Sequence, residues 1–149
     1  MSIPDTDTLS SPKTGPAPQI WGIHLLDHDP AGHAAVAEFL GKAGFRVTAS
    51  SNAPDALDYV ARSRPDLLIT SMESPGLSLP HFVHQVKILS RATRVLLSSV
   101  RSDWGAYEEA RIYGAAGLIT RPIHRMTLLR AVERVIERDG VPAKGMVTG

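Results

Sequence analysis

Asp66-Leu67-Leu68-Ile69-Thr70-Ser71 holds a continuous apolar run, Leu67 to Thr70, with no alternation of polar and apolar residues. A strand with one wet face alternates, whereas one covered on both faces does not, so this run predicts a central strand of a parallel sheet. Upstream, Asn52 is placed to cap a helix carrying Ala56, Leu57, Val60 and Ala61, which must end before Pro65. Before it come a strand-like Phe45 to Ala49 and a first strand, Ile23 to Leu26. Pro30 suits a first helical turn, and Val36, Phe39, Leu40 and Ala43 recur at helical spacing until Gly44. Downstream, Pro80 opens a helix with Phe82, Val83, Val86 and Leu89, followed by a strand at Val95 to Leu97. A helix over Asp103 to Tyr113 ends at Gly114, Leu118-Ile119 is a fifth strand, and Met126 to about Arg138 forms the last helix. Five alternating strand–helix units predict an α/β fold, a doubly wound five-stranded parallel sheet with helices on both faces.

Composition narrows the function classes. A chain of 149 residues is one domain's worth. A net charge of +1 gives no electrostatic case for nucleic acid or an anionic membrane. With no cysteine there is neither a disulfide nor a thiolate metal site. No apolar stretch approaches the roughly 18 residues of a membrane span, and Met1 to Gln19 lacks the pattern of a secretory signal, so a cytoplasmic protein is expected. Residues 1–19 and 139–149 are expected to be flexible tails around a domain at 20–138.

In open parallel sheets, sites form beyond the carboxyl ends of the strands. The residues there are Asp27-His28-Asp29, Ser71, Ser98-Ser99 and Arg121-Pro122. No glycine-rich loop follows the first strand, which argues against a dinucleotide or P-loop site. Ser71, His28 and Asp27 have the residue types of a hydrolase triad. Adjacent residues on a strand end are expected to point to opposite sides, however, and there is no G-x-S-x-G elbow. The reading is therefore not an enzyme.

From about Ile20 to Arg138 the chain resembles the receiver domains of bacterial two-component response regulators. The resemblance is carried by Leu26-Asp27-His28-Asp29-Pro30, by Asp66-Leu67-Leu68-Ile69-Thr70-Ser71 running into Met72-Glu73-Ser74-Pro75-Gly76, by Leu97-Ser98-Ser99, and by Gly117-Leu118-Ile119-Thr120-Arg121-Pro122. It implies the flavodoxin-like strand order 2-1-3-4-5. It also implies a reaction: two acids after strand one and an aspartate ending strand three bind Mg²⁺, and that aspartate accepts a phosphoryl group. A hydroxyl after strand four and a lysine after strand five contact the phosphoryl oxygens.

Carried over residue by residue, only part of that set survives. Asp27 keeps the first acid, His28 replaces the second, and Ser71 stands at the acceptor. Ser98 keeps the hydroxyl, Arg121 replaces the lysine, and Leu118 occupies the position of the switch aromatic. Asp27 is expected to face Arg121 and neutralise it. Mg²⁺ wants near-octahedral oxygen ligands, and a serine is a weaker nucleophile than a carboxylate, so Mg²⁺ binding and aspartyl phosphorylation are expected to be lost. A metal held by His28, Glu73 and Asp29 is a further reading, against which His28 is a hydrogen-bonded surface residue. Glu73 is either a solvent-facing loop carboxylate or, by reaching Arg121 or His28, an internal stand-in for a bound anion.

These departures predict a pseudo-receiver acting by protein–protein interaction, or else a switch set at the same pocket by a metal, an anion or Ser71 phosphorylation. Trp104 falls on the polar side of the fourth helix with Glu108 and Arg111, marking a partner face or packing on a neighbouring loop, while Tyr107 is expected in the core. The resemblance implies that the fourth helix, fifth strand and fifth helix form an output and dimer face, which would include Trp104, Leu118 and Arg130. Arg130, Arg134 and Arg138 interleave with Glu133 and Glu137, which predicts a solvated, self-paired helix face.

Overall fold

The computed structural model describes residues 20–74 and 78–137. Both expected tails, Arg138 and Pro75-Gly76 lie outside the described residues. The strands are β1 (Gly22–Leu26), β2 (Arg46–Ser50), β3 (Leu67–Ser71), β4 (Arg94–Ser99) and β5 (Gly117–Thr120). The helices are α1 (Pro30–Lys42), α2 (Ala53–Ser63), α3 (Leu79–Leu89), α4 (Trp104–Tyr113) and α5 (Arg125–Glu137). All pairings are parallel, in the order β2-β1-β3-β4-β5. The sequence-predicted elements are all present and differ only at their ends. Pro80 is the second residue of α3, and Asp103 is the N-cap of α4.

Strand alternation splits the core in two. On one face of the sheet, Ile23, Leu25, Leu67, Ile69, Leu96 and Ile119 pack with Leu40 of α1 and Leu128, Val132, Val135 and Ile136 of α5. On the other, Leu26, Leu68, Val95 and Leu97 meet Ala56 and Val60 of α2, Phe82, Val83 and Val86 of α3, and Ala110 of α4. Leu68 and Leu97 are fully buried, as the absence of alternation in these runs requires. Gly114 ends α4 at φ 99°, a left-handed conformation that side chains disfavour.

Register sets the site. Leu26 pairs with Ser50 and Thr70, Ser71 with Ser98, and Ser99 with Thr120. Asp27, Ser71, Ser98-Ser99 and Arg121 therefore arrive at one edge of the sheet. Two backbone bonds tie that edge together: Met72 N donates to Ser98 O at 2.8 Å and Arg121 N to Ser99 O at 2.7 Å.

Candidate functional site

The first arm of the site leaves β1 and enters α1. Asp27 accepts the Asp29 N–H on Oδ1 at 2.9 Å, and Asp29 in turn caps α1 by accepting the Ala31 N–H at 3.2 Å. The chain has already left the strand at Asp27, so strand alternation no longer separates neighbouring side chains. His28 Nδ1 lies 3.9 Å from Asp27 Oδ1 and the ring is exposed, which corrects the expected opposite orientation. The triad still does not assemble, because Ser71 Oγ makes its contacts with Glu73 rather than His28.

Glu73 is the centre of the second arm. Arg121 Nη2 donates to Glu73 Oε1, and Ser99 Oγ donates to Oε2 at 2.5 Å. Ser71 Oγ accepts the Glu73 N–H at 3.0 Å and lies 3.4 Å from Oε1. Glu73 is a loop carboxylate that stays partly open to solvent and at the same time reaches Arg121, not His28. Asp27 is accordingly not the residue that neutralises Arg121. The reason is geometric: Glu73 sits two residues past the strand end, where the chain turns back over the sheet edge. Partial burial pushes the Glu73 carboxyl up. The hydrogen bonds from Ser99, the Val100 backbone and Arg121, with the guanidinium's charge, outweigh it and hold the group below its usual range.

Ser99 stands with Ser98 among the strand-end residues, but the hydroxyl that reaches the site carboxylate is that of Ser99, not of Ser98. Ser99 is fully buried, whereas Ser98 is 6% exposed and lines the cavity described next. Ser99 Oγ also accepts the Arg101 N–H at 2.9 Å, which fixes its direction toward Glu73.

Beneath the rim, a cavity of about 520 Å³ opens between β1, β3, the start of α1 and the β5–α5 connection. Asp27, His28, Asp29, Ser71, Ser98 and Arg121 line its mouth, and Val36, Ile69, Ile123 and Leu128 lie below. Among the described residues no three His, Cys, Asp or Glu side chains come together to hold a metal. Glu73 is committed to Arg121 and Ser99, so the set proposed from His28, Glu73 and Asp29 does not form. The acceptor position holds a serine and the second acid a histidine, which leaves Asp27 and Asp29 as the carboxylates on the lining, a poorer oxygen set than the near-octahedral coordination Mg²⁺ asks for.

On the far side of the site, Trp104 is 75% exposed, so it does not pack on a neighbouring loop. Tyr107 is 44% exposed, which corrects its placement in the core: α4 buries Ala106 and Ala110, and Tyr107 is turned away from that line. Leu118 packs against the α2–α3–α4 side of the sheet. Arg130 and Arg134 are exposed, as a solvated face requires, and among the described residues no ion pair joins them to Glu133 or Glu137; Arg138 lies outside the described residues.

A second polar cluster was not read from the sequence. His24 of β1, 1% exposed, meets Thr48 Oγ1 and Ser50 Oγ, each at 2.7 Å, and its ring stacks on Tyr59 with centroids 4.3 Å apart. Burial lowers its pKa to about 4, with a smaller contribution from His33. The signal was a histidine inside the apolar run Ile23-His24-Leu25.

Comparison with known proteins agrees with the fold. The family model of the response regulator receiver domain matches residues 23–133. Transcriptional activator protein ExaE of Pseudomonas putida is 29% identical over 117 residues, covering 77% of this chain and 55% of the relative, so the chain spans about half that protein. Sporulation initiation phosphotransferase F of Bacillus subtilis is 24% identical over 99 residues, covering 66% of this chain and 80% of the relative. The crystal structure of the Vibrio cholerae chemotaxis protein CheY4 superposes with a TM-score of 0.72 at 23% identity, over 78% of this chain and 99% of that one.

Proposed function

The chain belongs to the response regulator receiver domain family of two-component signalling, and we propose that within it this protein is a pseudo-receiver, an interaction module that works without aspartyl phosphorylation. The observation that carries the reading is the Glu73 carboxylate, held by Arg121, Ser99 and Ser71 at the converging strand ends. A carboxylate there presents an anion to the same kind of donors that a phosphoryl group would meet. The chain thus supplies internally what phosphorylation supplies from outside, and it does so permanently.

The other replacements support the same conclusion. Ser71 has no base within reach, only the Glu73 carboxylate already engaged by Arg121, so its hydroxyl is not activated as a nucleophile. On this reading the domain has no enzymatic activity and no Mg²⁺ cofactor. It is cytoplasmic; among the described residues no helix is long and apolar enough to cross a membrane. It acts through a bacterial signalling partner or a second copy on the α4–β5–α5 face, where Trp104 stands exposed beside Tyr107, and a net charge of +1 gives it no nucleic-acid contact of its own.

The test is incubation with acetyl phosphate, or with beryllofluoride and Mg²⁺, read by intact mass and amide chemical shifts. Unchanged mass and unchanged shifts at Ser71, Ser99 and Arg121 are expected. A phosphoryl adduct, or a Mg²⁺-dependent response confined to those amides, overturns the reading.

A further inference from the structure

The cavity under Asp27 exists because α1 does not fill its seat. Its first turns read Ala31-Gly32-His33-Ala34-Ala35-Val36, with no apolar side chain larger than valine before Phe39. Gly32, Ala35 and Val36 line the space, and across it stand Leu25, Ile69, Ile123 and Leu128. At about 520 Å³ it has the size of a small-molecule pocket, with an apolar body and a few polar groups at one end.

Those polar groups are unevenly charged. Glu73 takes the charge of Arg121, which leaves Asp27 and Asp29 as uncompensated carboxylates on the lining, with histidines counted as neutral. Their Oδ1 atoms are used by backbone N–H groups of Asp29 and Ala31. Their Oδ2 atoms converge over Gly32: a Cβ placed there would stand 2.8 Å from Asp27 Oδ2 and 3.6 Å from Asp29 Oδ2. Two further atoms, on residues of the same lining, are shielded from solvent and lack any hydrogen-bond partner, namely Arg121 Nε and His33 Nδ1. Buried polar atoms are bonded in the great majority of cases, so this concentration marks a place where partners are missing.

We propose that this cavity binds a small organic amine, its ammonium between Asp27 and Asp29 over Gly32 and its apolar body against Val36, Ile69, Ile123 and Leu128. An acceptor on the same ligand, such as a hydroxyl, would meet Arg121 Nε. The occupant is cationic because the free charge of the pocket is negative, and it is small because the cavity holds only about 520 Å³. Binding wedges α1 against α5 beside the signalling site, and gives the module an input other than phosphorylation. The inference rests on Glu73 holding Arg121, and otherwise goes beyond the pseudo-receiver reading.

The probes are 2-phenylethylamine, 2-phenylethanol and phenylacetate, titrated into the full chain and followed by ¹H–¹⁵N spectra. The amine is expected to shift Gly32, His33, Val36 and Ile123 and to bind about tenfold more tightly than the alcohol, with phenylacetate weakest. The double variant Asp27→Asn, Asp29→Asn retains the helix cap, since Asn also caps, and should abolish the preference for the amine while leaving alcohol binding in place. Equal binding of all three, preference for phenylacetate, or shifts outside the cavity overturns the proposal. So does an unaltered preference in the double variant. An acetyl phosphate adduct on the wild-type chain would sink the pseudo-receiver reading without altering this titration, so the two fail separately.

Discussion

The carboxylate of Glu73 receives the guanidinium of Arg121 on one oxygen and the hydroxyl of buried Ser99 on the other. Residues from β4, the β3 turn and the end of β5 are thereby joined through one side chain. Arg121, which stands where the resemblance places the family's lysine, is thus already paired with a carboxylate of the loop after β3.

Glu73→Gln keeps the shape and removes the charge. Both partners of the ion pair are about one-third exposed, at 35% and 36%, so solvent screens the pair and its loss should cost only about 1 kcal/mol in urea unfolding. The larger expected effect is in anion binding. With Arg121 released, inorganic phosphate or sulfate should shift the amides of Ser99 and Arg121 at millimolar concentration, whereas the wild-type chain should not respond. Equal anion binding by both proteins would show that Glu73 does not occupy the anion position.

Ser71→Asp restores the residue type of the acceptor and should not restore the reaction. Ser71 Oγ accepts the Glu73 N–H at 3.0 Å and lies 3.4 Å from Oε1, so an aspartate would bring two carboxylates together. The variant should be destabilised by about 1 kcal/mol or more, and acetyl phosphate with Mg²⁺ should leave its mass unchanged, because His28 still stands in place of the second acid. A phosphoryl adduct on this single variant would mean that Ser71 alone had removed the chemistry.

The fold was legible because its signals are local. Unbroken runs such as Leu67 to Thr70, the Asn52 cap and the Gly114 stop each act within a few residues. The strand-end residues followed from topology. What was not legible depended on side-chain direction beyond the last regular residue. Asp27 was paired with Arg121 because both belong to one edge, but the turn after Ser71 brings Glu73 to Arg121 instead. Tyr107 failed for a related reason: α4 buries only a narrow line of alanines, and a tyrosine one residue along already faces outward. His24 is a buried polar group whose partners, Thr48, Ser50 and Tyr59, lie on other elements and could not be read from its neighbours in sequence.

Trp104→Ala separates packing from recognition. A side chain 75% exposed has little buried area to lose, so the variant should unfold within about 0.5 kcal/mol of wild type. If Trp104 anchors the α4–β5–α5 face, the same change should abolish self-association in sedimentation velocity, or capture of the signalling partner in a pull-down. Unchanged association and capture by the variant would move the interface elsewhere on the domain.

His24 gives the chain a pH dependence that the site does not share. Its pKa is lowered from 6.5 to about 4 in the folded state, so between those values the unfolded chain binds a proton that the native chain refuses. Stability is therefore highest above pH 6.5 and falls as pH drops toward 4, by about 1.4 kcal/mol per unit and roughly 3 kcal/mol in all. Glu73 adds a loss in the same direction, but only below its ordinary value of 4.5, because its folded pKa is depressed and the stabilising ionised form must be neutralised. The two windows separate them. Urea unfolding at pH 7.5, 6.5, 5.5 and 5.0 samples His24 alone of the pair, and His24→Gln should flatten the curve over that range while lowering stability at pH 7.5. A wild-type curve already flat from 6.5 to 5.0 would mean that His24 is protonated in the native state and that the Tyr59 stack carries a charge.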